Sequence, residues 1–102
     1  MPLRESSVDA IVVVSFLDRS LFPMIRCLLN PGGTLIYETF TLQHLDVVNR
    51  GRARGPRNAE YLLEPGELRR LAAPLDVIEH EECLATDSAG ERHVARLVAI
   101  KR

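Results

Sequence analysis

The sequence predicts an α/β fold in which two parallel strands precede a C-terminal antiparallel hairpin, with short helices between the strands. Two β-branched segments flank one amphipathic segment, which is the pattern of a right-handed parallel strand–helix–strand crossover. Two more strand-like segments end the chain, and a short turn between them makes them antiparallel neighbours. With 102 residues the chain has room for one domain, which we expect to span positions 1–102.

The crossover is predicted within the first 40 residues. Ala10–Val14 (AIVVV) is a continuous β-branched run without alternation, typical of a strand covered on both faces. A helix should follow, with Ser20 as its cap and Pro31 as its end. Thr34–Phe40 (TLIYETF) is the second predicted strand. The apolar stripe predicted for the helix consists of Leu21, Met24, Ile25, Leu28 and Leu29.

A long loop and a second helix should come next. Gln43–Leu63 shows little periodicity, and we interpret it as a loop with at most a turn of helix; long ordered loops are often functional. Glu64–Ala73 is a predicted short helix with Pro65 at its first position and Pro74 after its end. Its apolar side is predicted to carry Leu68, Leu71 and Ala72.

The hairpin is predicted from the last third of the chain. Leu75–Leu84 and Arg92–Arg102 are the strands, and Ala85–Glu91 is a cluster of turn residues between them. The last strand is the more apolar of the two, so we expect it to lie further inside the sheet.

Gly32 and Gly33 raise the question of a phosphate site. A phosphate-binding glycine loop leads from a strand into the positive end of a helix. Here the helix comes first and the strand last, so the glycines follow the negative end of a helix. We therefore predict a tight turn in which they supply positive φ angles.

Composition and charge exclude several classes of function. The net charge is -1, aromatic residues make up 5% and tryptophan is absent, which argues against nucleic-acid binding. No apolar run approaches the about 20 residues of a membrane span. Cys27 and Cys83 stand far apart and outside any Cys-x-x-Cys pair, and we expect two buried, reduced thiols. We expect a soluble, cytoplasmic protein.

Neither metal nor nucleophilic chemistry is favoured. His44, His80 and His93 lack a metal-binding spacing, and side chains along Glu79–Glu82 should alternate between the faces of a strand. No serine stands on a recognisable nucleophile elbow. We expect no metal site.

Several motifs, taken in order, resemble one enzyme family. Val8-Asp9 leads into a strand, NPGG leads into the next, and a hairpin with an inserted last strand closes the chain. This order resembles the second half of class I S-adenosylmethionine (SAM)-dependent methyltransferases. LIYETF, GPRN and LLEPGEL more narrowly resemble a bacterial branch related to tellurite-resistance methyltransferases. The resemblance implies a partial Rossmann-like sheet, SAM as cofactor and a small-molecule methyl acceptor.

One departure from the family concerns cofactor binding. The family's first half carries a glycine-rich loop and an acidic residue for the cofactor ribose, and no Gly-x-Gly-x-x-Gly occurs in these 102 residues. In the family sheet, Ala10–Val14 would have the first strand as its neighbour, and without that half it becomes an exposed edge.

Candidate site residues follow the two parallel strands, since ligands of such sheets lie outside the carboxyl ends. The resemblance implies that Ser15, Phe16 and Leu17 border the cofactor, whereas Glu38 and Thr39 border the acceptor. Glu38 is the candidate base or substrate anchor; the alternative is a solvated carboxylate at a strand end.

The loop that contains GPRN offers three alternatives. It carries four arginines, Arg50, Arg52, Arg54 and Arg57. A solvated loop and a lid over the substrate, with Arg57 and Asn58 holding a polar group, are both favoured over nucleic-acid contact. The family match at GPRN favours the lid.

Two functional hypotheses remain open. In one, the chain is the C-terminal half of a methyltransferase whose activity needs a complementary N-terminal half. In the other, it is a non-catalytic fragment that self-associates through its edge strand. We expect Ala10–Val14 to join either an antiparallel homodimer or the complementary half, and Val13→Lys to break the dimer.

Overall fold

The computed structural model describes residues 8–45, 59–87 and 90–102. A four-stranded sheet with two short helices accounts for most of them. In chain order the elements are β1 (Val8–Val14), α1 (Leu21–Leu28), β2 (Leu29–Phe40), a 3₁₀ turn (Ala59–Tyr61), α2 (Glu67–Ala72), β3 (Asp76–Asp87) and β4 (Gly90–Ile100).

The sheet has the strand order β1-β2-β4-β3. β1 and β2 are parallel, and β4 is antiparallel to both β2 and β3. The predicted α/β class, the parallel pair and the insertion of the last strand are all confirmed. The insertion follows from composition, because β4 buries Leu97 and Ala99, whereas β3 is rich in glutamate.

The two faces of the sheet differ. Side chains of Leu35, Tyr37 and Leu97 pack in one core cluster with residues of α1 and α2, and we call this side the helix face. The opposite side, which we call the open face, carries Val12, Val14, Ile36, Glu38, Arg96 and Val98.

β1 corrects the prediction of a strand covered on both faces. It begins at Val8 rather than Ala10, and its burial alternates. Ile11 and Val13 pack against the core, whereas Val12 and Val14 are 62% and 54% exposed. The continuous β-branched run was misleading because both described α-helices pack on the helix face.

α1 begins where it was predicted but ends at Leu28, before Pro31, and Leu29 of the predicted stripe already belongs to β2. The buried side of the helix is also rotated. Phe22 and Ile25 are buried, and Met24 from the predicted stripe is exposed. The prediction left out Phe22, whose ring stacks on Tyr37 with 5.1 Å between centroids. Ser20 makes no side-chain cap; its N–H and Oγ both donate to Asp18 Oδ1.

α2 begins later than predicted. Pro65 lies before the helix, and Gly66 occupies the cap position with φ +74°. The Gly66 N–H donates to Glu82 Oε2 on β3 at 3.0 Å, so a tertiary contact fixes this helix start. Leu68 and Ala72 are buried on the predicted side, and the helix ends before Pro74 as expected.

The hairpin is longer than predicted. Its ladder continues to the pair Asp87–Gly90, so most of the segment Ala85–Glu91, expected to be a turn, belongs to the strands. Backbone pairing with β4 overrides the turn preference of this polar sequence.

The NPGG segment forms a bulge in β2 opposite Asp9, between the partner pairs Val8–Leu29 and Ala10–Thr34. Gly32 has the predicted positive φ, +85°. Gly33 has a different role, because a Cβ there would lie 2.8 Å from the Asn30 carbonyl oxygen.

The C-terminal end of α1 is capped by a cation. Lys101 Nζ donates to the carbonyls of Arg26 and Leu29 at 2.6 and 2.9 Å, where the helix dipole is negative. The Lys101 backbone N–H donates to the Gly33 carbonyl at 2.9 Å. This arrangement agrees with a structural turn rather than a phosphate site.

The two glycines should respond differently to alanine. Gly32→Ala adds a side chain into open space and pays only for its positive φ, a cost of about 1 kcal/mol. Gly33→Ala forces the bulge to move and should cost about 2 kcal/mol or more. Urea unfolding of both variants checks this order, and an equal loss in both would contradict the bulge geometry.

Candidate functional site

The carboxyl ends of β1 and β2 lie side by side, as predicted. Val14 pairs with Glu38, and the Ser15 N–H donates to the Glu38 carbonyl at 2.8 Å. The segment 15–18 after β1 is therefore adjacent to residues 38–40 at the end of β2. Parallel pairing alone brings these two candidate segments together.

The backbone after β1 turns sharply at Ser15, which has φ +57° although it is not glycine. Such a conformation costs on the order of 1 kcal/mol and needs support from its surroundings. Tyr37 provides support, because its hydroxyl donates to the Phe16 carbonyl at 2.6 Å. Burial raises the pKa of this tyrosine, which keeps the hydroxyl protonated as a donor.

The turn separates the side chains of the predicted cofactor segment. Leu17 is 7% exposed and belongs to the core, whereas Phe16 is 53% exposed. The exposed side chains of Ser15 and Phe16 are thus presented to a ligand, and Leu17 offers its backbone.

A surface cavity of about 380 Å³ lies beside this turn. Its lining residues are Phe16, Leu17, Asp18, Arg19, Glu60 and Tyr61. The rings of Phe16 and Tyr61 are both half exposed, so the cavity combines two aromatic surfaces with two carboxylates and one guanidinium.

Arg19 is the residue that holds this site together, and sequence reasoning missed it. Its guanidinium binds both carboxylate oxygens of Glu67, at 2.5 and 3.1 Å, and also donates to the carbonyls of Glu60 and Leu62. The loop after β1, the 3₁₀ turn and α2 are joined through one side chain. No sequence signal marks Arg19, since its partners lie more than 40 positions away.

The pKa values of this pair shift in opposite directions. The Arg19 hydrogen bond is the main reason that the pKa of Glu67 is lowered, despite partial burial that opposes the shift. The same bond is the main cause that raises the pKa of Arg19. Both groups therefore remain charged at neutral pH.

Glu38 lies on the open face rather than in the cavity. Its Oε1 accepts from Arg96 Nε and Nη2 at 2.8 and 2.5 Å, and Arg96 Nη1 reaches Glu81 at 2.9 Å. The Glu38 side chain is only 14% exposed. The hydrogen bond to Glu38 is the main reason that the pKa of Arg96 is raised. Glu38 is thus an ion-paired carboxylate.

Thr39 is not among the residues that line the cavity. Thr39 is 2% exposed, with its side chain on the helix face. Arg57 and Asn58, together with the other arginines of that loop, lie outside the described residues.

A polar cluster beyond β2 was also missed. Thr41 Oγ1 lies 2.6 Å from His93 Nδ1, and the His93 backbone N–H donates to Nδ1 of the fully buried His44. Phe40 packs on the His44 ring with 4.4 Å between centroids. These contacts fix the backbone that leaves the candidate substrate segment.

Cys27 is exposed and Cys83 is partly buried, so the predicted burial of both thiols is wrong. Within residues 8–45, 59–87 and 90–102, no group of histidine, cysteine, aspartate and glutamate is arranged to hold a metal ion. No helix found there is long and apolar enough to cross a membrane.

Solved structures share this fold. A SAM-dependent methyltransferase from Methanosarcina mazei has a TM-score of 0.71 at 18% identity, over 99% of this chain and 62% of that one. TehB from Haemophilus influenzae gives 0.64 at 19% identity, over 92% and 35%. N-methyltransferase NodS from Bradyrhizobium japonicum, in complex with S-adenosyl-L-homocysteine, gives 0.51 at 18% identity, over 89% and 45%. No protein-family model and no curated protein matches the chain.

These similarities establish a methyltransferase-like fold and no more, since the identities are low. The chain spans 62%, 35% and 45% of the three proteins, less than two thirds of each.

The Arg19–Glu67 pair should make stability acid-sensitive. Because the pKa of Glu67 is lowered in the folded chain, its contribution is present above the unfolded value of about 4.3 and is lost as pH falls through the folded pKa. Glu67→Gln should cost about 1–3 kcal/mol at pH 7 and flatten the acid limb of a urea-unfolding series. Glu64→Gln is the matched control, because Glu64 is mostly exposed; a similar loss there would contradict the assignment.

Tyr37 should link stability to alkaline pH. Its folded pKa is raised, so its contribution is present below the unfolded value of about 10 and is lost as pH rises through the folded pKa. The chain has two tyrosines, so absorbance titration of a Tyr61→Phe chain follows Tyr37 alone. Ionisation at the pH of an unfolded tyrosine would contradict the buried hydrogen bond. Tyr37→Phe should cost about 1 kcal/mol.

Proposed function

We propose that this chain is the C-terminal portion of a SAM-dependent methyltransferase that acts on a small molecule. The observation that carries the proposal is the fold similarity over 99% of the chain to a SAM-dependent methyltransferase. The similarity to TehB supports the narrower bacterial branch related to tellurite resistance.

The cavity residues fit part of the cofactor. The exposed ring of Phe16 offers a stacking surface for an adenine, and Asp18 and Glu60 supply negative charge beside a sulfonium. When bound, SAM supplies an electrophilic methyl group on a positively charged sulfur. Ser15, Phe16 and Leu17 form the cofactor border in this proposal, with Tyr37 holding their backbone in place.

Methyl transfer mainly requires positioning of the acceptor in line with the methyl–sulfur bond, and some acceptors also lose a proton. We assign the acceptor side to Glu38, to the backbone at Thr39, whose side chain is buried, and to Arg57 and Asn58 of the loop that contains GPRN. Glu38 is held by Arg96, and this favours its role as a substrate anchor over a freely solvated group.

No Gly-x-Gly-x-x-Gly occurs in this sequence. A complete cofactor site therefore requires a glycine-rich segment from outside these 102 residues. In the proposed enzyme that segment lies beside β1 and belongs to a complementary N-terminal half. The described residues alone should bind the cofactor weakly.

Amide NMR spectra test the proposal. Titration with S-adenosylhomocysteine should shift the amide signals of residues 15–19 and 60–61 in a saturable way, even if the affinity is millimolar. Methionine serves as the control ligand, since it lacks the adenosine that Phe16 would contact. Phe16→Ala should reduce the shifts while leaving the fold intact, because this ring is half exposed.

Shifts confined to other surfaces, or none at all, would overturn the assignment of this site. The proposed function has a separate test. A longer polypeptide that adds a glycine-rich segment to this chain should bind SAM, and its failure to bind SAM would reject the proposed function.

A further inference from the structure

We propose that the free edge of β1 is an interface for a second copy of this chain, paired antiparallel about Val12. The proposal stands independently of the methyltransferase assignment. It rests on four features of the sheet: the charges of its two edges, the exposure of the open face, the direction of backbone groups in β1 and the symmetry of the β1 sequence.

The two edges of the sheet are built differently. The outer strand β3 carries charged side chains along its length, at Asp76, Glu79, Glu81 and Glu82. Charges on an edge strand discourage pairing with another sheet. The other outer strand, β1, has no charged residue from Ala10 to Val14. Only the β1 edge lacks this protection among the described strands.

The open face is most exposed at its two edges. Val12, Ile36, Val98 and Glu79 are neighbours in one row across the four strands. Val12 is 62% exposed and Ile36 39%, Val98 is partly buried, and Glu79 is exposed again. Of the two edge residues in this row, Val12 is apolar and Glu79 is charged. The β1 edge therefore presents an apolar side chain for a neighbouring strand to cover.

The backbone of β1 offers hydrogen bonds to such a neighbour. The Ser15 N–H points to β2, because it donates to the Glu38 carbonyl. Backbone groups alternate in direction along a strand, so those of Ile11 and Val13 also point to β2. The N–H and C=O groups of Ala10, Val12 and Val14 consequently point away from β2, where the four-stranded sheet has no further strand.

These groups are self-complementary about a two-fold axis at Val12. In an antiparallel pair, Val12 lies opposite Val12 of the second copy and Ala10 lies opposite Val14. Each of these positions can exchange two N–H···O bonds with its partner. Ile11 then faces Val13, so every central cross-strand pair is apolar.

No like charges meet in this register. Asp9 would lie opposite Ser15, and the two Asp9 side chains would stand about 20 Å apart, given about 3.3 Å per residue. Asp9 is also held within its own chain, since its Oδ1 accepts from Asn30 Nδ2 at 2.6 Å. A second copy thus meets every requirement of the edge, and we commit to it over a foreign strand.

The same edge is where the proposed methyltransferase would place its glycine-rich segment. The homodimer and the completed enzyme therefore exclude each other, and the dimer is the form adopted by the chain alone. An edge-strand contact is small compared with a standard protein interface, so we expect a dissociation constant in the micromolar range.

Sedimentation equilibrium of Val12→Lys and Val12→Glu chains tests the interface. Each variant places two like charges opposite one another and should weaken the dimer about tenfold or more. An equimolar mixture should restore dimers, because lysine then faces glutamate. Val12 is better suited than Val13, which was the sequence-based choice, since Val13 packs on the core and its replacement would disturb folding.

Leu84→Lys is the matched control, because Leu84 is an exposed apolar residue on the opposite edge strand. It should leave the dimer unchanged. A wild-type chain that stays monomeric at millimolar concentration would overturn the interface. Dimers that persist in both Val12 variants, or a mixture that remains monomeric, would overturn the antiparallel register. Unfolding curves of the variants show whether each remains folded.

Discussion

The parallel pairing of β1 with β2 is the constraint on which the remaining structure depends. It brings the two strand ends together, so the turn at Ser15 and the segment after Glu38 become neighbours. It also needs the NPGG bulge, because α1 ends directly at β2 and the chain must be realigned before the regular register begins. Close backbone packing at Gly33 and the cation of Lys101 at the helix end both support this junction.

Contacts between residues distant in sequence fix the loop after β1 and form the candidate site. Tyr37 is buried between α1 and the sheet, and its hydroxyl fixes the backbone after β1. Arg19 then ties that backbone to the 3₁₀ turn and to α2. The cavity beside Phe16 thus has walls from two segments that are distant in sequence, the loop after β1 and the 3₁₀ turn, which is the arrangement expected where a rigid sheet positions loops for binding.

The sheet is asymmetric in a way that joins the two proposals. One face is packed by helices, and one edge is protected by charge, while β1 retains apolar side chains and outward backbone groups. Such an edge favours pairing with another strand, since its backbone N–H and C=O groups are unpaired. A complementary segment and a second copy would pair with the same backbone groups of β1, so catalysis and self-association would compete.

Hydrophobic periodicity and turn residues act locally, and these local patterns were enough to predict the order of elements, the parallel pair and the inserted last strand. They also indicated the candidate segments at the strand ends. Four features became clear from tertiary contacts alone: which side of α1 is buried, where α2 begins, how far the hairpin extends and which face of β1 is exposed. The same is true of the hydrogen bonds of Arg19 and of the Glu38–Arg96 pair. The start of α2 and the Arg19 and Glu38 contacts depend on partners more than 15 positions away in sequence, whose approach no local pattern encodes. The hairpin extends because backbone pairing with β4 overrides the turn preference of its residues.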